Sequence, residues 1–225
     1  VGQDHLVGKN GVLRKMIEAN HLFSFILYGE PGCGKTTIAE ATRKMVSIPS
    51  FHFNASTDNK DILKQIINDA RFNENTIIVM TSNAGSNLNE NLLGFGKTQA
   101  QASKEKCLKA LEEFLRPEFI ARVDEVVVFS PLSYDSLVKI SAIMLDELTD
   151  ALSDKGITLK YDNNVCEYLA EKCQGGKRGA RDLRNTIRRE IEDKIVNLIV
   201  ENGDGIIKEI SVSYKENIEI NLKLV

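Results

Sequence analysis

The sequence predicts an α/β protein, a parallel-sheet domain built round a phosphate loop and followed by a small α+β lid domain. Three observations carry that reading. Residues Gly29-Glu-Pro-Gly-Cys-Gly-Lys-Thr36 form a glycine-rich loop set between an apolar run and a helix-compatible stretch. Strand-like and helix-like segments alternate over residues 1–131, as expected of a sheet with helices on its faces. After Pro131 the chain turns to amphipathic helices and closes on a hairpin pattern.

Taken in order, the apolar run Ser24 to Tyr28 reads as the strand that feeds the loop, and Thr37 to Met45 as the helix that leaves it. Ser50 to Ala55, Thr76 to Thr81 and Glu125 to Phe129 read as further strands. Ile62, Gln65 and Ile66 give Asp61 to Ala70 a helical spacing, and Leu108, Leu111 and Leu115 do the same for Ser103 to Leu115. Between them, Ser86 to Ala102 is a long polar loop containing Gly94 and Gly96. Pro131 marks a domain joint, dividing the chain into residues 1–131 and 132–225, and Ser133 or Asp135 can cap the helix that follows. Leu137, Ile140, Met144, Leu148 and Leu152 give that helix an apolar face. A short strand, Ile157 to Lys160, and a helix around Val165 to Cys173 come next. Gly175-Gly176 breaks the chain before a long helix from Ala180, striped by Leu183, Ile187, Ile191, Ile195 and Leu198. Glu209 to Tyr214 and Ile218 to Leu224 read as a hairpin over Lys215-Glu-Asn217.

The loop has a definite chemistry. Gly29, Gly32 and Gly34 let main-chain N–H groups approach phosphate oxygens without a Cβ in the way, and Pro31 and Cys33 fill the turns between them. Lys35 supplies a point charge for β and γ phosphates, and Thr36 a hydroxyl for Mg2+. Thr37 continues the first helical turn, whose unpaired N–H groups and dipole aim at the same anion. ATP is the ligand this predicts.

Composition narrows the class. A chain of 225 residues with 27% charged residues is an ordinary globular protein able to hold two modest cores. No apolar run approaches roughly 18 residues, and no signal-like segment opens the chain, which predicts a cytoplasmic protein without a membrane span. Val1 in place of Met suggests a fragment of something longer. Cys33, Cys107, Cys166 and Cys173 form no C-x-x-C pair and read as reduced thiols. A net charge of −3 gives no general pull toward nucleic acid, although Lys177, Arg178, Arg181, Arg184, Arg188 and Arg189 make a local basic cluster, in which the arginines other than Arg181 on the helix from Ala180 read as a solvated face.

Four landmarks stand in one order: the loop at Gly29 to Thr36, Thr81-Ser-Asn83 at a strand end, Arg116-Pro-Glu-Phe-Ile-Ala-Arg122-Val-Asp124, and Gly179-Ala-Arg181. Together they resemble the AAA+ ATPases. Asn75-Thr-Ile-Ile-Val-Met-Thr-Ser-Asn-Ala-Gly85 and Leu115-Arg-Pro-Glu-Phe-Ile-Ala-Arg-Val-Asp-Glu-Val-Val-Val-Phe129 make residues 73–222 similar to the second AAA+ module and C-terminal small domain of Clp-type unfoldases. Residues 1–72, opening Val1-Gly-Gln-Asp-His-Leu-Val-Gly-Lys-Asn-Gly-Val-Leu-Arg14, are similar instead to replication-associated recombination ATPases of the RarA type, so the chain reads as a composite joined near Phe72. The resemblance implies roles. Asn83 would be the sensor that positions the attacking water, Arg122 the finger reaching the γ phosphate of a neighbouring subunit, and Arg181 the second sensor on the small domain. Val1 to Gln3 would lie near the adenine, with ATP at the junction of the two domains. Each role has a plainer rival: Asn83 as a turn cap, Arg122 and Arg181 as solvated charges. A homo-oligomeric or mixed AAA+ ring, protein clients and a Clp peptidase docked through Leu93-Gly94-Phe95 would be the partners.

One departure matters. These families carry an apolar strand ending in Asp-Glu between the phosphate loop and the first sensor, the Asp holding Mg2+ through water and the Glu activating the nucleophile. Here only Arg71 to Asn75 separate a helix from the sensor strand, whereas a further strand and helix need about 17 residues. Ile143-Met-Leu-Asp-Glu147 mimics the pattern, but inside a helical repeat, and Asp124-Glu125 precedes its strand. The expectation is therefore a reduced sheet, one strand short, with Thr76 to Thr81 beside Ser24 to Tyr28. An ATP-binding Clp-type chaperone subunit with impaired hydrolysis follows. A DNA replication or recombination ATPase and a non-hydrolysing nucleotide-responsive adaptor are the alternative readings.

Overall fold

The computed structural model describes residues 1–19, 24–45, 49–55, 57–72, 77–83, 105, 108–109, 112, 123–176, 178–202 and 207–224. Those residues divide into two compact units, Gln3–Pro131 and Leu132–Val225, with Val1–Gly2 counted in the second.

The first unit holds a parallel sheet of β1 (Phe25–Tyr28), β2 (Ser50–Asn54), β3 (Ile77–Ser82) and β4 (Glu125–Val128) in the order β2-β3-β1-β4. β1 is buried along its whole length, as a central parallel strand covered on both faces must be. Its neighbours are β3, aligned Phe25 with Val79, and β4, aligned Phe25 with Glu125. The expected adjacency of sensor strand and loop strand is thus present. On the far side of β3 lies β2, paired directly from Ser50 with Ile77 to Asn54 with Thr81. No strand intervenes there.

Helices α1 (Asp4–Val7), α2 (Val12–Glu18), α3 (Lys35–Met45) and α4 (Lys60–Phe72) accompany the sheet. Sequence periodicity did not announce α1 and α2. They are short, and Gln3 and Gly11 at their N-caps offer no side-chain hydrogen bond. Leu6, Leu13 and Met16 nevertheless join Phe25, Leu27, Ala39 and Val79 in one apolar cluster, while Ile26, Phe53, Leu63 and Met80 form a cluster on the other face. Glu105, Leu108, Lys109 and Glu112 are helical, as expected within Ser103 to Leu115. The long loop and the remainder of that helix lie outside the described residues.

The second unit combines α5 (Tyr134–Ser153), α6 (Asn163–Cys173), α7 (Ala180–Ile187) and α8 (Asp193–Glu201) with a sheet ordered β5-β6-β7. β5 (Thr158–Tyr161) runs parallel to β6 (Ile207–Tyr214), and β7 (Ile218–Leu224) returns antiparallel. Ser133 caps α5, its hydroxyl accepting from Ser136 N at 3.2 Å. The buried line of α5 runs through Leu137, Ser141, Leu145 and Leu152, with Ile140, Met144 and Leu148 only half-buried beside it. The expected face is therefore rotated, because a polar Ser141 sits at its centre. That hydroxyl is satisfied by donating to Leu137 O at 2.9 Å.

The long helix expected from Ala180 runs without a break to Glu201, but it is not α-helical throughout. Arg188–Glu192 forms a π turn between α7 and α8. Leu183, Ile187, Ile191 and Ile195 repeat strictly every fourth residue and are all buried. Four residues of an α-helix overshoot a full turn by about 40°, so such a stripe drifts off the core. A π turn, which takes more residues per turn, swings it back.

Candidate functional site

β1 delivers the chain into the loop beside the end of β3. Tyr28 is aligned with Ser82, and Gly29 N donates to Ser82 O at 3.3 Å. Asn83, the next residue of β3's chain, is half-buried beside that contact. The loop and the expected sensor position are thus brought together. Asp58, beyond β2, is engaged in local structure: its carboxylate accepts from Asn54 N at 2.7 Å and from the Thr57 hydroxyl at 3.0 Å.

Gly32 and Gly34 adopt φ of +77° and +98°, conformations that L side chains avoid. Space around Gly34 is open, with nothing within 4 Å of the point a Cβ would occupy. Gly29 is the opposite case. A Cβ there would stand 2.9 Å from Phe129 Cβ and 3.3 Å from Cys33 Sγ, so the loop lies tight against the chain leaving β4. Cys33 is buried beneath the loop, and burial raises its thiol pKa, with the Lys35 charge opposing.

Lys35 Nζ folds over the loop, donating to Gly29 O at 2.8 Å and Glu30 O at 2.7 Å. Thr36 and Thr37 are exposed in the first turn of α3, and the first α-helical bond there is Ile38 N to Gly34 O at 3.0 Å. An exposed helix N-terminus, an open glycine cradle and a lysine form a donor set that fits a polyphosphate. For Mg2+ the fit is partial. Thr36 is the residue that would hold it, and among the described residues no group of three or more His, Cys, Asp or Glu side chains could hold a metal ion.

The sequence resemblance set Gln3 near the adenine and gave no sign of its structural ties. Gln3 is 2% exposed, and its side chain ties the loop to the end of β4. Nε2 donates to Ser130 O at 2.8 Å and to Cys33 O at 3.4 Å, while Oε1 accepts from Ser130 N at 3.2 Å. A lone glutamine whose partners lie 30 and 127 residues away leaves no local signature. His52 was also missed. It contacts Thr81 Oγ1 at 3.2 Å and Glu40 at 3.7 Å, and burial lowers its pKa, with Glu40 opposing.

Arg181, Val1 and Gly2 belong to the second unit. Arg181 is exposed in the first turn of α7, after Gly179 at φ +50°. Arg178, Arg184, Arg188 and Arg189 are exposed as well, as a solvated face requires. Val1 is 59% exposed, and a Cβ on Gly2 would meet Leu132 and Ser136 at 2.9 Å. Arg122 and Leu93, Gly94 and Phe95 lie outside the described residues. Asp146-Glu147, which mimics the missing acidic pair, falls within α5.

Comparison with known proteins gives matches in both units. Residues 25–81 match the AAA model, "ATPase family associated with various cellular activities", and residues 132–211 match the C-terminal, D2-small domain of ClpB protein. The ATP-dependent Clp protease ATP-binding subunit ClpE of Bacillus subtilis is 32% identical over 159 residues, 67% of this chain and 23% of that protein. The chloroplastic chaperone protein ClpC4 of Oryza sativa subsp. japonica is 32% identical over 196 residues, 81% of this chain and 21% of that protein. The chain therefore spans about a fifth of the length of these relatives. In fold it resembles the closed-state structure of Hsp104 with ATPγS and FITC casein, at a TM-score of 0.70 and 19% identity, over 93% of this chain and 46% of that one.

Proposed function

We propose, for a chain that is a Clp-type AAA+ module with a small C-terminal domain, that its first unit grips Mg-ATP at Gly29 to Thr36 and turns it over slowly or not at all. The observation that carries this reading is the direct pairing of β2 with β3, on the side where the acidic strand would stand, next to an intact phosphate loop.

Binding and hydrolysis draw on different groups. The grip rests on main-chain N–H groups, the N-terminus of α3 and Lys35, which exchanges two neutral carbonyl acceptors for charged phosphate oxygens. Thr36 would hold Mg2+ through its hydroxyl, and the ion would supply neutralisation of phosphate charge. Asn83 orients water at the end of β3. Splitting the triphosphate further needs a base, and loss of a general base typically lowers the rate by about 10² to 10⁴. The Asp58 carboxylate is occupied by Asn54 and Thr57 and does not take that part.

Binding of a labelled ATP analogue and phosphate release, measured on one sample, test the proposal. Saturable binding lost in Lys35→Ala, with turnover far below that of an ordinary AAA+ enzyme, is expected. Turnover at the ordinary level refutes the impaired chemistry, and analogue binding unchanged in Lys35→Ala refutes the site.

The same reading makes the chain a cytoplasmic ring subunit acting on protein clients, with Arg122 reaching a neighbour's γ phosphate, Arg181 acting as second sensor, and Val1 and Gly2 near the adenine. Leu93, Gly94 and Phe95 would dock a Clp peptidase through a small apolar anchor. A pull-down of such a peptidase that survives Leu93→Ser and Phe95→Ser refutes docking through that tripeptide, and no pull-down by the parent chain refutes the partnership.

A further inference from the structure

We propose that β7 is a self-recognition edge, pairing antiparallel with β7 of a second copy of this chain about a two-fold axis through Asn221. Among the described residues β7 is an outer strand of its sheet, with β6 on one side and no strand on the other. Such an edge presents a row of main-chain donors and acceptors and is ordinarily guarded by proline, by inward-pointing charge or by lysine. β7 reads Ile218-Glu-Ile-Asn-Leu-Lys-Leu224, with no proline and no charge on the core side. Lys223 is the guard, but Glu219 stands four residues before it on the same solvent face.

That spacing makes the strand complementary to itself. Centred on Asn221, an antiparallel copy brings Glu219 opposite Lys223 and Lys223 opposite Glu219, while Ile220 meets Leu222 and Ile218 meets Leu224. Parallel pairing in register would set like charge against like. A slip of two residues either way loses both ion pairs, and a slip of one turns the apolar face outward. One register therefore satisfies every position.

The solvent face of the existing sheet already prepares the match. Lys160 on β5 contacts Glu209 on β6 at 2.6 Å, and Glu209 is aligned with Lys223 on β7. The row runs positive, negative, positive, and Glu219 of the second copy continues the alternation. On the opposite face Ile218, Ile220 and Leu222 pack against the core of this unit only in part, and Leu224 is 49% exposed. The helix packed on β7, α8, adds exposed Val196 and Val200. A closed two-fold contact of this kind uses the same patch on both partners, unlike the head-to-tail contact of a ring.

Charge reversal with complementation is the test, by sedimentation velocity on the full chain without nucleotide. Glu219→Lys places lysine against Lys223 of its copy, and Lys223→Glu places glutamate against Glu219. Each variant alone should associate about tenfold or more weakly than the parent, as two cross-strand pairs change from attraction to repulsion. An equimolar mixture of the two variants restores both pairs and should recover a heterodimer. Far-ultraviolet circular dichroism spectra of both variants matching that of the parent exclude loss of fold as the cause. A parent chain that stays monomeric into the high micromolar range overturns the proposal. So does association indifferent to either substitution, or a mixture that stays dissociated.

Discussion

Replacing Gln3 by Ala probes how the phosphate loop is held. The side chain joins three main-chain groups: Ser130 N, Ser130 O and Cys33 O. Truncation leaves the Ser130 pair without partners, and each orphaned buried group costs about 1–3 kcal/mol. Both Ser130 contacts are only part-buried, so water recovers some of that, and the low end applies to each. The 3.4 Å contact to Cys33 is long and adds little. Together with the small void left behind, the expected loss is about 2–3 kcal/mol. Urea unfolding followed by far-ultraviolet circular dichroism suits a chain with no tryptophan, and hydrogen exchange across residues 25–45 locates the effect. The loop peptide should lose protection and ATP-analogue affinity should fall. Gln3→Glu tests the donor separately, since a carboxylate cannot give Nε2–H to Ser130 O. If Gln3→Ala unfolds within about 0.5 kcal/mol of the parent, the glutamine is a surface-like residue and the clamp argument fails.

Gly29→Ala forces a Cβ to 2.9 Å from Phe129 Cβ, and should cost about 1–3 kcal/mol and abolish ATP-analogue binding. Unchanged binding by titration calorimetry would refute the tight fit. Leu169→Ala, at a site with no exposure, should destabilise the second unit by about 2–5 kcal/mol, read as an earlier thermal transition. Burial lowers the His52 pKa from its ordinary 6.5, so the unfolded chain binds a proton that the folded chain resists. Stability should therefore be full at neutral pH and decline as pH falls below about 6.5, with His52→Gln flattening the decline. Parallel pH profiles of melting for parent and variant would refute that assignment.

What the sequence made legible follows from how local each signal is. β1, β3 and β4 are apolar runs of strand length, and the loop's glycines and Lys35 stand in a fixed pattern, so both were readable. The place of β3 beside β1 followed from the family resemblance, not from the residues. α1 and α2 were silent because neither carries a side-chain cap or a full amphipathic repeat. The true face of α5 was misplaced because Ser141, a polar residue, lies at its centre and pairs with its own helix. The π turn shows in the sequence only as four-residue steps, which an ordinary helix also tolerates for a turn or two. Gln3 was the least legible, since its meaning resides in partners remote along the chain. The compact division falls between Pro131 and Leu132, apart from Val1 and Gly2.

The lateral bonding of β2 to β3 also governs how this sheet can grow. Five aligned residue pairs close that seam, and β1 is enclosed between β3 and β4, so a newcomer strand cannot be accepted in the interior without unzipping a finished ladder. Only the outer margins of β2 and β4 stay available among the described residues. Any carboxylate brought to this sheet has to ride on a strand already there, or arrive on a loop at the sheet's rim.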